Sequence, residues 1–300
     1  MKNTLKFLLL LFTASSIMAQ SAGTSGLSFL KMGFGARNIA MGDLGVVTAT
    51  DASALNYNPA LLGKFTNSQI MITHNEWIQD VRSEQLGASF SLFNIPFAVG
   101  INTTSISDIE VRTKPGEPLT TFNAHYFYGS LSTGFETVEN LFFGMTIKYL
   151  YEGMYSDEST GIGYDFGLLY ENVINGLNLG ASIKNLGSMD VLRGEETKLP
   201  VDLRAAAAYN FTLESINSKI VALGGIQKYT STDDLHIHTG AEILYNDLLA
   251  LRLGYLTGYD SRGLTSGLGI LWNSISFDYA FTPFSYDLGS SHTISLMYTF

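Results

Sequence analysis

Hydrophobic and polar positions alternate along most of this chain. In residues 140–151 the odd positions are Leu141, Phe143, Met145, Ile147, Tyr149 and Tyr151, and the even ones include Gly144, Thr146 and Lys148. Residues 161–171 set Ile162, Tyr164, Phe166, Leu168 and Tyr170 against Gly163, Asp165, Gly167 and Glu171. Leu177, Leu179, Ala181 and Ile183 alternate with Asn178, Gly180, Ser182 and Lys184. Leu203, Ala205, Ala207 and Tyr209 stand against Asp202, Arg204 and Asn210. Later runs place His236, His238 and Glu242, then Arg252, then Asp278, opposite apolar faces. A period of two sends successive side chains to opposite sides, so each run is predicted to be a strand.

Fourteen such segments are predicted: 68–75, 84–92, 96–106, 120–134, 140–151, 161–171, 177–186, 200–213, 218–229, 235–244, 248–258, 264–272, 274–283 and 291–300. They run to about ten residues, the length that crosses a bilayer at a tilt. The strands of soluble sandwiches have a mode of about 5–6. Charges on the polar face cost little beside a watered lumen, whereas facing lipid they would cost about 2–4 kcal/mol each at mid-bilayer. The predicted fold class is therefore all-β, a transmembrane antiparallel β-barrel. Lys148, Asp165, Lys184, Asp202, Arg204, His236, His238, Glu242, Arg252 and Asp278 are expected to face its lumen. Connections after odd strands are mostly long (76–83, 107–119, 152–160, 187–199). Those after even strands are short (93–95, 135–139, 172–176, 214–217, 245–247 and Asn273), as expected for outer loops and periplasmic turns. Both termini then fall on the periplasmic side. Trp77, Trp272 and the Tyr and Phe at strand ends are expected to form interfacial belts.

Residues 20–67 do not alternate. Asp51 is expected to cap a short helix, Asn58-Pro59 to start another turn and Gly63 to end it. A compact segment before a barrel too wide to be filled by its own strand side chains is expected to sit inside as a plug. Lys2, Lys6 and the run Leu8–Phe12, followed by small residues up to Ala19, read as a signal peptide for Sec export. The expected organisation is thus a signal peptide at 1–19, a plug at 20–67 and a barrel at 68–300.

Composition narrows the function. The chain has 300 residues, 46% hydrophobic and 15% charged, with 17 basic against 27 acidic residues and a net charge of −10. It lacks the basic stripe of a nucleic-acid binder. Having no cysteine, it has no disulfide, thiol nucleophile or thiolate metal site.

The stretch FLKMGFGARNIAMGDLGVVTATDASALNYNPALLG resembles the N-terminal motif of the PorV/PorQ family of type IX secretion proteins. It is similar, more distantly, to the hatch of FadL-type transporters. The shared positions are Gly35, Ala36, Arg37, Met41, Gly42, Asp51, Ala52, Ser53, Asn58, Pro59 and Ala60. The resemblance implies a non-enzymatic outer-membrane barrel acting in secretion or surface attachment. Its implied partners are translocon or attachment proteins and exported cargo. The alternative is a FadL-like channel for hydrophobic small molecules. Ile294, Leu296, Tyr298 and Phe300 look like the C-terminal signal read by the barrel-assembly machinery. Outer-membrane lipid is the expected surrounding.

Arg37 is expected to pair with a lumen acid, Asp165, Asp202, Glu242 or Asp278, since an unpaired buried charge is strongly unfavourable. A clamp for a ligand carboxylate is the other reading. Asn58-Pro59-Ala60 reads first as an anchoring turn. His236 and His238 have a spacing that can hold a metal, but no third ligand is placed, so neither metal nor cofactor is expected. The five histidines, His74, His125, His236, His238 and His292, are scattered, and no Gly-x-Ser-x-Gly elbow precedes a helix. A lipid-modifying enzyme would need a Ser–His pair at one rim. Mixed charges in 107–119 (Asp108, Glu110, Arg112, Lys114, Glu117) and 187–199 (Asp190, Arg193, Glu195, Glu196, Lys198) mark those loops as the best candidates for a partner surface.

Overall fold

The computed structural model describes residues 26–192 and 194–300. The signal peptide expected at 1–19, the start of the N-terminal segment at 20–25 and Arg193 lie outside the described residues. Fourteen antiparallel strands close into one barrel. In chain order they are β1 (Gln69–Glu76), β2 (Val81–Leu92), β3 (Ile95–Val111), β4 (Thr120–Val138), β5 (Leu141–Met154), β6 (Asp157–Ile174) and β7 (Leu177–Met189). Then come β8 (Asp202–Leu213), β9 (Ser218–Tyr229), β10 (Leu235–Tyr245), β11 (Leu249–Leu256), β12 (Leu264–Trp272), β13 (Ile275–Pro283) and β14 (Ser290–Thr299). Each strand pairs with its sequence neighbours, and β1 pairs with β14 from Gln69↔Thr299 to Glu76↔His292. A closed ring leaves no unpaired edge, as a backbone crossing lipid requires.

The alternation sorts side chains between the two faces. On β11, Leu249, Leu251, Leu253 and Tyr255 are 46–60% exposed, while Ala250, Arg252 and Leu256 between them are at most 3% exposed. An outer wall this apolar suits lipid. Trp272 is exposed on it.

Strands β3 to β6 are longer than predicted, at 14–19 residues: β3, β5 and β6 gain residues at the end carrying the loops after odd strands, and β4 and β6 at the opposite end. This corrects one expectation. The connection at 152–160 is not a long loop, because β5 and β6 continue their ladder to Met154↔Asp157 and leave a turn at Tyr155-Ser156. Residues 107–111 likewise belong to β3. Several of the shortest hairpins place two successive residues at positive φ, such as Phe93-Asn94 at 53° and 61°. That backbone matches the right-handed twist of the paired strands.

Strand β7 carries a bulge. Its register with β6 slips by one residue between Tyr164↔Leu186 and Phe166↔Ile183. Asn185 sits in the left-handed region at φ 60°, so both Lys184 and Asn185 are buried on the inner side.

Residues 27–65 lie within the ring. They form short helices at Ser28–Lys31, Ala36–Ala40, Gly45–Thr48, Ala54–Tyr57 and Pro59–Lys64. Nearly every residue from Met32 to Leu62 is buried. Asp51 stands three residues before the helix at Ala54–Tyr57, and its carboxylate accepts hydrogen bonds from the Ser53 amide and hydroxyl in the turn that leads into it. Asn58 caps the next element, accepting from the Ala60 amide at 3.0 Å. That element is a 3-10 helix through Lys64, one residue past Gly63.

Candidate functional site

Glycine and alanine on the inner wall let the backbone of residues 27–65 approach. A Cβ at Gly144 or Gly134 would overlap backbone atoms of Pro59, and one at Gly240 would overlap Met41. Asn58 then ties segment to wall, its side-chain amide donating to Val46 O at 2.8 Å and Leu168 O at 2.9 Å. Gly35 and Gly42 adopt φ of 82° and 73°. At these turns the Ala36 amide donates to Ser295 Oγ at 2.8 Å, and the Gly42 amide to Thr265 Oγ1 at 3.1 Å. Ser53 accepts from Asn38 Nδ2 at 2.7 Å. Met41, Ala52, Pro59 and Ala60 are buried among these contacts. The motif residues therefore face inward, where they hold the segment.

The ten polar strand residues singled out above are all buried on the inner side. Most join two ionic networks. In one, Arg37 pairs with Glu242 at 2.8 Å, and Arg252 links Glu242 to Asp278 at 2.6 Å each. Arg37 also donates to Thr48 O at 2.8 Å, so its guanidinium is engaged within the protein. In the other, Lys148 pairs with Asp165 at 2.6 Å and donates to Asn185 Oδ1 at 3.1 Å. The Asn185 amide donates to Asp165 at 2.8 Å. Lys184 donates to Asn56 O at 2.9 Å and lies 3.6 Å from Asp202. Arg204 bridges Asp202 and Asp43 at 2.8 and 3.0 Å. Burial pushes the Asp43 carboxyl up, but Arg204 and the Tyr57 hydroxyl outweigh it and hold the group below its usual range. His238 meets Gly42 O at 2.8 Å, and His236 stacks on Tyr259 at 3.9 Å. Among the described residues no cluster of His, Asp and Glu is arranged to hold a metal ion. The lumen at this level is packed and charge-balanced.

A Ser–His pair does stand at one rim. Ser290 Oγ lies 3.0 Å from His292 Nε2, and Tyr279 OH lies 2.7 Å from His292 Nδ1. The orienting group is a phenol, not a carboxylate, and the ladders with β1 and β13 occupy the backbone around His292. The arrangement lacks the preorganised donors that acyl transfer needs.

A space open to a ligand lies inside the barrel at the end carrying the loops after odd strands. A cavity of about 440 Å³ separates Phe29, Lys31 and Met32 from Trp77, Tyr126 and Phe284 of the wall and loops. Trp77 meets Phe284 edge to face at 5.1 Å, and Phe29 stacks on Tyr126 at 5.3 Å. Arg262 lies over Trp77 at 5.5 Å and over Tyr259 at 4.3 Å. Lys31 lies 5.0 Å from the Tyr229 ring centre. Burial pushes the Lys31 amine down, with Asp202 opposing. Trp77 is thus not a belt residue as expected from sequence, because the end of β1 turns it toward the cavity. The sequence reading also missed Arg262 and Phe284, which sit in stretches without alternation and carry no motif, and Phe29, which opens the quoted motif stretch but is not among its shared positions.

No family model matches the chain, and no curated protein matches it. Solved structures do. The Pseudomonas putida toluene transporter TodX superposes with a TM-score of 0.64 at 14% identity, covering 89% of this chain and 98% of its own. The fold is that of an outer-membrane β-barrel. The Ralstonia pickettii toluene transporter TbuX matches with a TM-score of 0.58 at 13% identity, over 89% of this chain and 97% of its own. A Pseudomonas aeruginosa FadL homologue matches with a TM-score of 0.51 at 12% identity, over 87% and 96%. At these identities the likeness concerns the fold of the barrel.

Proposed function

We propose that this chain is an outer-membrane channel admitting small hydrophobic molecules, with residues 27–65 acting as its plug. The observation that carries this is the aromatic-lined cavity between Phe29–Met32 and the wall at Trp77, Tyr126 and Phe284. Ligand sites are concave and mostly apolar, with a few polar groups that fix orientation. Here Arg262, Lys31 and Gln79 are those groups. Ion-paired networks link the segment to the wall at mid-lumen, which fits a selective route rather than a wide aqueous pore. The likeness to two toluene transporters supports the same reading. It supports an outer-membrane location, and on this reading loops 77–80, 112–119, 190–201 and 257–263 face outward.

The role in secretion or surface attachment, with translocon partners and exported cargo, has less behind it. The motif that suggested it is spent on internal contacts. The neighbours named above are transporters or a homologue of one.

The test uses Trp77 itself. In a Trp272→Phe background, toluene added to the purified protein should quench or shift Trp77 emission in a saturable way. Phe284→Ala should weaken that binding several-fold. Emission that stays unchanged up to the solubility limit of toluene would refute the channel reading.

A further inference from the structure

The outer wall is unevenly filled. Across β6 to β9 a run of outward positions is small: Ala181, Ala205, Ala207 and Gly224. The register joins them across strands, with Ala181↔Ala205 and Ala207↔Gly224. Leu168 stands on one side and Ile226 on the other. Two cavities of about 640 and 500 Å³ share Leu168, Ala181, Ala205 and Ile226, so they form one trench. A Cβ at Gly224 would find nothing within 4 Å. From Leu203 to Ala207 the trench runs about 13 Å along β8, at roughly 3.3 Å per residue.

One end of the trench is charged. Lys228 lines it next to the loop side of β9, between Leu203 and Leu235 in register. Arg204 also borders it, but its guanidinium is turned inward onto Asp202 and Asp43. An apolar furrow open to a bilayer fills with hydrocarbon. An ammonium at the rim of such a furrow attracts an anion.

We propose that this trench is a binding site for one anionic membrane lipid, its acyl chain lying over Ala181, Ala205 and Gly224 and its phosphate on Lys228. The site lies on the lipid side of the wall, apart from the cavity inside.

The experiment is native mass spectrometry of the full mature protein in neutral detergent. The protein is incubated with phosphatidylglycerol or with phosphatidylcholine of the same acyl chains. The expected result is retention of one phosphatidylglycerol, several-fold above phosphatidylcholine. Lys228→Gln should bring the two lipids level. Gly224→Leu, whose Cβ enters open space and whose side chain takes up room in the trench, should lower retention of both. Heat-modifiable gel mobility checks that each variant is folded. Equal retention in the parent, a preference that survives Lys228→Gln, or full retention in Gly224→Leu would overturn the proposal. So would a lipid-free dimer, which would give the trench to a second copy of the chain.

Discussion

Asp165 is fully buried, ion-paired with Lys148 and hydrogen-bonded to the Asn185 amide. Removing one partner of such a pair leaves the other as an uncompensated charge, which costs about 3–5 kcal/mol. Asp165→Ala should therefore lower the stability of the folded barrel by that amount, read as the shift in urea midpoint in lipid vesicles. An unchanged midpoint would mean that Lys148 finds another anion. Asp165 and Lys148 were legible as inward-facing because strict alternation carries facing information. Asn185 was not, because a bulge breaks the period at that residue and brings two neighbours to the same side. Arg37 was legible as a cation in need of an acid, while the choice of Glu242 depends on how the segment lies in three dimensions. Trp77 was misread because residue type alone does not say which way a strand end turns.

At the scale of elements, the approach of Pro59–Lys64 to β4 and β5 rests on missing side chains. A Cβ at Gly144 would overlap the Pro59 backbone, and one at Gly134 would overlap its carbonyl. Gly144→Val should push this turn off the wall while leaving the strand ladder able to form, since valine favours strands. The chain has no cysteine. A thiol introduced by Ala60→Cys is therefore a clean reporter. Its labelling by a water-soluble maleimide should be slow in the parent and at least tenfold faster with Gly144→Val, with higher conductance in planar bilayers. Equal labelling rates would show that the turn does not depend on that contact. The fourteen strands were legible as period-two runs, since β10 to β13 ended within a few residues of expectation. The extra length of β3 to β6 was not. Beyond the membrane both faces are wet, and the alternation that marks a strand fades although its hydrogen bonds continue.

For the whole molecule, closure between β1 and β14 decides whether a barrel exists. Ile294, Leu296, Tyr298 and Phe300 are all exposed on the outer face, with Ile294, Leu296 and Tyr298 opposite His74, Ile72 and Ile70. The Phe300 amide donates to Ser68 O at 2.9 Å, and its ring packs edge-on against Tyr298 at 4.9 Å. The ring buries little apolar area in the folded protein; a reading by assembly factors, which the C-terminal pattern implies, is the proposal that its substitution tests. Phe300→Ala should reduce the heat-modifiable protein recovered from cells several-fold, yet leave refolding into vesicles of purified lipid unchanged. Equal loss in both settings would make the residue structural. The cylinder and its facing were legible from the chain because they follow from local alternation. The contents of the cylinder were legible as a compact segment, but their contacts come from strands up to 259 positions away in the chain. Those contacts bear on the order of construction. Synthesis delivers the inner segment first and the final stave last, and the two edges of the gap are the first and last staves. Like a cask, the cylinder can be sealed only where its first and last boards meet, and the last board reaches that seam only once everything the cask is to hold has been delivered.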